Sequence, residues 1–274
     1  MPLFKLLKAL LRSRSLRFAR DFVLPGSLQT PDELASIAWT SGDGLEVFYR
    51  PGTTDTGLIY DILLRPGSSA EYRFPAGMSP GTILDIGANI GIAARQLAFR
   101  FPDAVIHAFE PVPENFNILK MNVRRLPNVV PHLYGLGAAD RELKMQIGGD
   151  NRANKGGYSM FAKARGATAV SVQVRGVRTA LTELAIRAVD IIKIDTEGAE
   201  FEILSALPDE ILRTVQWICG ELHTEHIDEP TDFKALELLS RRFDVQVSKP
   251  MFKRNYPFAA LRKDLRGQVA APSQ

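Results

Sequence analysis

From Thr82 onward, short apolar runs alternate with amphipathic segments, and this alternation narrows the possible folds more than any other property of the chain. TILDIG, AVIHAFEP, NVVPHLYGLG, VDIIKIDTEG and TVQWICGELH are near-continuous in apolar residues, as strands covered by helices on both faces must be. Between them, IGIAARQLAFRF, PENFNILKMNVRRL and AEFEILSALPDEIL have the apolar spacing of crossover helices. Pro113 suits a first helical turn, where its missing N–H is not needed. The pattern predicts an α/β, Rossmann-like, doubly wound sheet. A chain of 274 residues that is 45% hydrophobic and 24% charged can bury such a core.

The alternation also divides the chain. Residues 1–79 read as an amphipathic helix and a cap, with strand character at Leu45 to Tyr49 and helical character near Leu58 to Leu64. Residues 80–262 form the sheet domain, and 263–274 a frayed tail. From Glu142 to Thr179 the alternation breaks, and ELKMQIGG and TAVSVQVRGV read as strands of an antiparallel β-hairpin insertion around the loop NRANKGGYSM. At the start, Leu3, Leu6, Leu7, Leu10 and Leu11 fall at helical spacing among Lys5, Lys8, Arg12 and Arg14. This basic amphipathic helix packs on its own domain, joins a second copy in a homodimer, or lies on an anionic membrane surface. Its lysines come too early for a signal-peptide core, and no run reaches the ~20 apolar residues of a membrane span, so the expected location is cytoplasmic or peripheral. The single cysteine, Cys219, excludes an internal disulfide or a cysteine-based zinc site. A net charge of +3 permits a nucleic-acid partner without calling for one.

Ligands of open parallel sheets bind beyond the carboxyl ends of the strands, and the distinctive residues of this chain cluster there. DIGANIG, Asp85 to Gly91, closes the first strand and opens a helix. Gly87 and Gly91 allow a tight turn and a close approach to a ligand. About 25 residues later the second strand ends in FEP, placing Glu110 where an acid accepts from a ribose diol. A nicotinamide dinucleotide would demand three glycines where this chain has Gly87, Asn89 and Ile92, so a nucleoside site without a pyrophosphate fits better.

These blocks resemble the FkbM family of S-adenosylmethionine (AdoMet)-dependent methyltransferases. The resemblance runs from Arg50 to His223 through RPGTTD, ILDIGANIG, HAFEPVPENFNILKMNV, GLGAAD, GGYSM, VDIIKIDTEGAEFEIL and GELH. FEPVPENF followed by IKIDTEGAE is its specific part. It implies a class I methyltransferase sheet with an antiparallel last strand, AdoMet as cofactor, and O-methylation of a saccharide or small natural product. It also implies that Gly87, Ala88, Asn89 and Gly91 line the methionine side of AdoMet, with Asp85 supporting the turn. Glu110 and Pro111 would hold the ribose, while Gly137, Ala138 and Asp140 border the adenine. In the family pattern the acid follows that glycine sooner than Asp140 does.

The acceptor side is read from the residues themselves. IDTEGAE sets Asp195, Glu197 and Glu200 in one turn and helix start, where Glu200 needs no role beyond balancing the helix dipole. Asp195, at the end of a buried strand, is expected to face the cofactor or the acceptor. Glu221 and His223 share one face of the fifth strand, with His226 beyond. A hydroxyl attacks a methyl sulfonium only as its proton is accepted, so His223 is the first candidate for general base, with Asp195 and Glu197 next. The plainer alternative is a hydrogen-bonded strand-end histidine. Asp195, Glu197 and Glu221 would also suffice for a divalent ion such as Mg²⁺, a question the residues leave open. Tyr158 and Ser159 are candidate substrate contacts, and Asp55 and Tyr72 candidate neighbours of the methionine end. Two rival functions remain. One is nucleic-acid methylation, against which stand the lack of an Asn/Asp-Pro-Pro-aromatic motif and Ile218, not proline, before Cys219. The other is a catalytically silent AdoMet-binding protein.

Overall fold

The computed structural model describes residues 2–24, 33–65, 72–147, 158–159, 169–223, 231–248 and 255–267. The expected N-terminal helix is two helices, α1 (Pro2–Ser13) and α2 (Leu16–Val23). Arg14 turns the chain between them at φ 54°, and Ser15 caps α2 by accepting from the Phe18 N–H. β1 (Ala35–Ala38) and β2 (Glu46–Tyr49) pair antiparallel, and α3 (Asp55–Leu58) runs into a π-helical turn, Ile59–Leu64. These elements share a core with the sheet domain, because Phe18, Tyr49 and Ile59 are buried in the same cluster as Ile83 and Ile106.

The alternating region follows as β3 (Thr82–Ile86), α4 (Ile92–Arg100), β4 (Val105–Phe109), α5 (Pro113–Val123) and β5 (Val129–His132). Then come β6 (Gly135–Gly137), β7 (Arg141–Ile147), β8 (Tyr158–Ser159), β9 (Ala169–Gly176) and α6 (Val177–Glu183). β10 (Ile191–Ile194), α7 (Glu200–Ala206), α8 (Asp209–Leu212) and β11 (Trp217–His223) lead to α9 (Thr231–Ser240), β12 (Phe243–Val247) and β13 (Asn255–Arg262).

The main sheet has the order β12-β13-β11-β10-β3-β4-β5. β11, β10, β3, β4 and β5 are mutually parallel, and β13, the last strand, runs antiparallel to β11 and β12 as expected. Alternate side chains enter opposite cores: Ile83 and Ile191 pack towards α4 and the N-terminal helices, and Leu84, Ile86, Ile192 and Ile194 towards α6, α7 and α9. The chain leaves β3 towards β4 and later returns to β10 on its other side. The strand order therefore reverses between β3 and β10, which is where an open sheet forms a crevice.

Two sequence readings need correction. NVVPHLYGLG is two strands: β5 joins the main sheet, and β6 joins a four-stranded sheet of order β6-β9-β7-β8, so the insertion is more than a hairpin. AEFEILSALPDEIL is likewise two helices, because Leu207, preceding Pro208, is extended at ψ 132°.

Asp55 serves this framework instead of a cofactor. Its carboxylate, fully buried, takes the Arg50 guanidinium through both oxygens at 2.8 and 2.9 Å and the Arg50 N–H at 3.0 Å.

Candidate functional site

The loop after β3 is held in left-handed conformations at Gly87, Asn89 and Gly91. At Gly87 a side chain is impossible: a Cβ there would lie 1.8 Å from the Asp195 carbonyl oxygen, so only glycine lets this loop cross the end of β10. The Asn89 N–H then points at Glu110, donating to Oε2 at 2.8 Å, while the Val112 N–H donates to Oε1 at 2.9 Å. Burial pushes the Glu110 carboxyl up to about 7 in spite of these two donors.

Beneath the loop, Asp85 is fully buried and faces Lys193 Nζ at 3.2 Å, and Lys193 also donates to the Gly87 carbonyl at 2.8 Å. Burial raises the Asp85 carboxyl and Lys193 opposes it. Lys193 was not among the expected residues. Its one signal is a lysine inside the apolar run VDIIKID, which a strand buried on both faces tolerates only with a partner.

A cavity of about 280 Å³ opens above these residues. Gly87, Ala88, Asn89, Glu110 and Pro111 form one wall; Tyr72, Asp195, Glu197 and Glu221 form another. Gly135 and Leu136 line the cavity, whereas Gly137 and Ala138, expected at the adenine, do not. The Ala138 N–H donates instead to Glu202, and Asp140 accepts from the Gly176 N–H. Gly91 packs towards Leu119, away from the cavity. Tyr158 and Ser159 pair through β8 with Ile147 and Gln146; their side chains, like His226, lie outside the described residues.

At the ends of β10 and β11 four carboxylates surround one imidazole. His223 is 8% exposed, and its Nδ1 lies 3.0 Å from Glu200 Oε1. Glu200 Oε1 also accepts from the Thr196 N–H at 2.8 Å and the Thr196 hydroxyl at 3.0 Å. Burial raises the Glu200 carboxyl, but the bonds to His223 and Thr196 outweigh it and hold the group below its ordinary value. Glu200 is therefore a built-in partner of His223, beyond balancing a helix dipole.

His223 Nε2 faces Glu197 at 3.7 Å and Asp195 and Glu221 at 3.8 Å. Burial alone would lower this imidazole, yet Glu200 and the other carboxylates raise it to about 10. Glu200 holds its Nδ1, and His223 itself does not line the cavity. The carboxylates reach the cavity where the expected histidine base does not. Glu197 carries a left-handed backbone at φ 56°, and burial with the neighbouring carboxylates pushes its carboxyl up to about 7 against the pull of His223. From the N-terminal segment, the Tyr72 hydroxyl donates to Asp195 Oδ2 at 3.2 Å.

A Methyltransferase 1 of Beauveria bassiana is 29% identical over 188 residues, covering 61% of this chain and 74% of that protein. The 31-O-demethyl-FK506 methyltransferase FkbM of Streptomyces tacrolimicus is 23% identical over 217 residues, covering 69% and 78%. The hexuronic acid methyltransferase AglP of Haloferax volcanii is 26% identical over 140 residues, covering 51% and 54%. Among the relatives matched, the aligned stretch covers from 10% to 78% of their own length. The sequence profile of the methyltransferase FkbM domain matches residues 85–246. That span is more than half of the chain and contains the loop, Glu110 and the carboxylate corner, and the chain belongs to the FkbM family of methyltransferases.

Proposed function

We propose that this protein is an AdoMet-dependent O-methyltransferase acting on a hydroxyl of a saccharide or small natural product. The observation that carries the reading is a single cavity joining the Asn89–Glu110 wall to the carboxylate corner. AdoMet supplies an electrophilic methyl on a sulfonium.

The residues present suit such a guest. Asn89 Oδ1 and Asn115 Oδ1 are buried at the cavity with no hydrogen-bond partner among the described residues. Glu110 would hold the ribose diol, Gly87 and Ala88 pass beside the methionine portion, and Pro111, Gly135 and Leu136 flank the base. At the other end Asp195 and Glu221 orient the acceptor hydroxyl, and Glu197 takes its proton as the oxygen–carbon bond forms and the sulfur–carbon bond breaks. His223 and Glu200 hold that corner in place. The relatives from Streptomyces and Haloferax, named for an O-methyl position and a hexuronic acid, support the acceptor class.

Incubation with AdoMet and a panel of saccharides and hydroxylated natural products tests the reading. S-Adenosylhomocysteine should accumulate only when an acceptor is present, and the acceptor should gain one methyl. Formation of S-adenosylhomocysteine with none of them, together with absent AdoMet binding, would reject it.

Glu110 accepts from both ribose hydroxyls only when ionised, and its carboxyl is at about 7. Affinity for AdoMet should therefore be full above that value and fall as the pH drops from about 8 to about 6, because protonation removes an acceptor. Glu110→Gln should weaken binding by roughly 10- to 100-fold and flatten the pH profile. Calorimetry that finds one affinity across this range, with the variant unchanged, would remove Glu110 from the ribose.

We also propose peripheral contact with anionic membranes through α1. Leu6, Ala9 and Leu10 pack onto the core, while Leu3, Phe4, Leu7 and Leu11 stand exposed beside exposed Lys5 and Lys8. No described helix is long and apolar enough to cross a membrane. Sedimentation with phosphatidylserine vesicles should be lost on replacing Leu3→Glu and Leu7→Glu together. Equal sedimentation of the two proteins, or none by the parent, would reject the contact, and concentration-dependent mass would point to a homodimer instead.

A further inference from the structure

Three carboxylate oxygens face His223 Nε2 at ion-pair distances, longer than a hydrogen bond. Asp195 Oδ1, Glu197 Oε2 and Glu221 Oε2 lie 3.8, 3.7 and 3.8 Å from it. A hydrogen bond between such atoms closes to about 2.7–3.2 Å. Two ligands of one ion, each ~2.1 Å from it, lie about 3.0–3.5 Å apart, so each oxygen stands only a few tenths of an ångström beyond a co-ligand's distance from Nε2; at the same corner Asp195, Glu200 and His223 bring ligand atoms within 4.8 Å of one another. Nε2 has no hydrogen-bond partner among the described residues, although His223 is more than nine-tenths buried. Its other nitrogen is held by Glu200 Oε1 at 3.0 Å, the carboxylate–histidine pairing that directs the second nitrogen of an imidazole at a metal.

The backbone supports the same reading. Asp195 directly follows β10, while Glu221 and His223 project from one face of β11, and β10 and β11 pair with Ile194 opposite Gly220. Ligands on adjacent strands of a buried sheet are held more rigidly than ligands on loops. Glu197, from the turn, has the most exposed side chain of the four acids, at 37%.

We infer that His223 Nε2, Asp195 and Glu221 bind one divalent first-row metal ion of the Mn²⁺ or Zn²⁺ kind at the acceptor end of the cavity. An imidazole nitrogen in the set favours these ions over Mg²⁺ and Ca²⁺, which take oxygen ligands. Three protein ligands leave positions for water or for an acceptor hydroxyl, and a coordinated hydroxyl gives up its proton far more readily than a free one. Glu197 stands beside it to take that proton. This role rests on the methyl-transfer reading of the cavity, whereas the binding of the ion does not. Glu200 is a positioning residue that acts through His223.

The full chain, stripped with a chelator and dialysed, is titrated with MnCl₂ and with ZnCl₂ by calorimetry, and S-adenosylhomocysteine binding is measured on the same samples. One ion per chain is expected. His223→Gln and Glu221→Gln should each weaken it at least about 30-fold, and Glu200→Gln by roughly 10- to 100-fold, with S-adenosylhomocysteine binding retained as the check on folding. Pulsed EPR of the Mn²⁺-loaded parent should show a directly bound ¹⁴N, a readout that needs no variant. No saturable binding of either ion, no ¹⁴N coupling, or equal affinity in folded His223→Gln would overturn the site. Metal binding without any nucleoside binding would leave the site standing and reject the methyltransferase reading instead.

Discussion

Glu197→Gln should lower turnover by about 10²- to 10⁴-fold while leaving AdoMet affinity within a few-fold of the parent. The substitution keeps size and shape and removes the capacity to accept a proton, together with the negative charge that faces His223. Glu197 lines the carboxylate corner of the cavity, and the Gly87 loop on the other wall contacts Asp195, two residues away. A loss confined to kcat is what removal of an interaction made only in the transition state produces. Equal kcat in the variant would exclude Glu197 as the proton acceptor, and a loss of AdoMet affinity of the same size would make it a binding residue. His223→Gln differs from it, since His223 is assigned support of the carboxylate corner and no proton transfer.

Asp55→Ala should destabilise the fold by about 3–5 kcal/mol, lowering Tm on the order of 10 °C. The side chains of Asp55 and Arg50 are 0% and 4% exposed, so the variant leaves a guanidinium buried beside the part-exposed carboxylate of Glu114. The cost comes from the charge left behind, more than from the bond lost. Replacing both residues with apolar ones, Arg50→Met with Asp55→Leu, should therefore cost less than Asp55→Ala alone. Urea unfolding of the three proteins decides. An unchanged midpoint in Asp55→Ala, or a double variant as unstable as the single, would show that the pair carries no such penalty.

What the chain discloses before folding depends on how local the governing constraint is. The turn at Asp85 to Gly91 and the acid at Glu110 are legible because each is fixed by its own strand end. The parallel sheet is legible because burial on both faces writes itself into continuous apolar runs. Lys193 was missed because its partner, Asp85, sits across a strand pair whose register no local pattern records. Glu200 and His223 are 23 residues apart and meet only because β10 and β11 are neighbours, so Glu200 read as a charge at a helix start. Tyr72 reaches Asp195 across 123 residues. Gly137 and Ala138 miss the cavity for a topological reason: past Tyr134 the chain enters a second sheet, and Gly135 and Leu136 line the cavity in their place.

The fit of Gly87 against the Asp195 carbonyl has a mechanical meaning. The Asp195 N–H donates to the Ile86 carbonyl at 3.0 Å, and Lys193, the preceding neighbour but one, grips the Gly87 carbonyl. The Gly87 turn and Asp195 are thus clamped to each other through backbone atoms, with no side chain between them to absorb a shift. A displacement of one by a few tenths of an ångström is a displacement of the other.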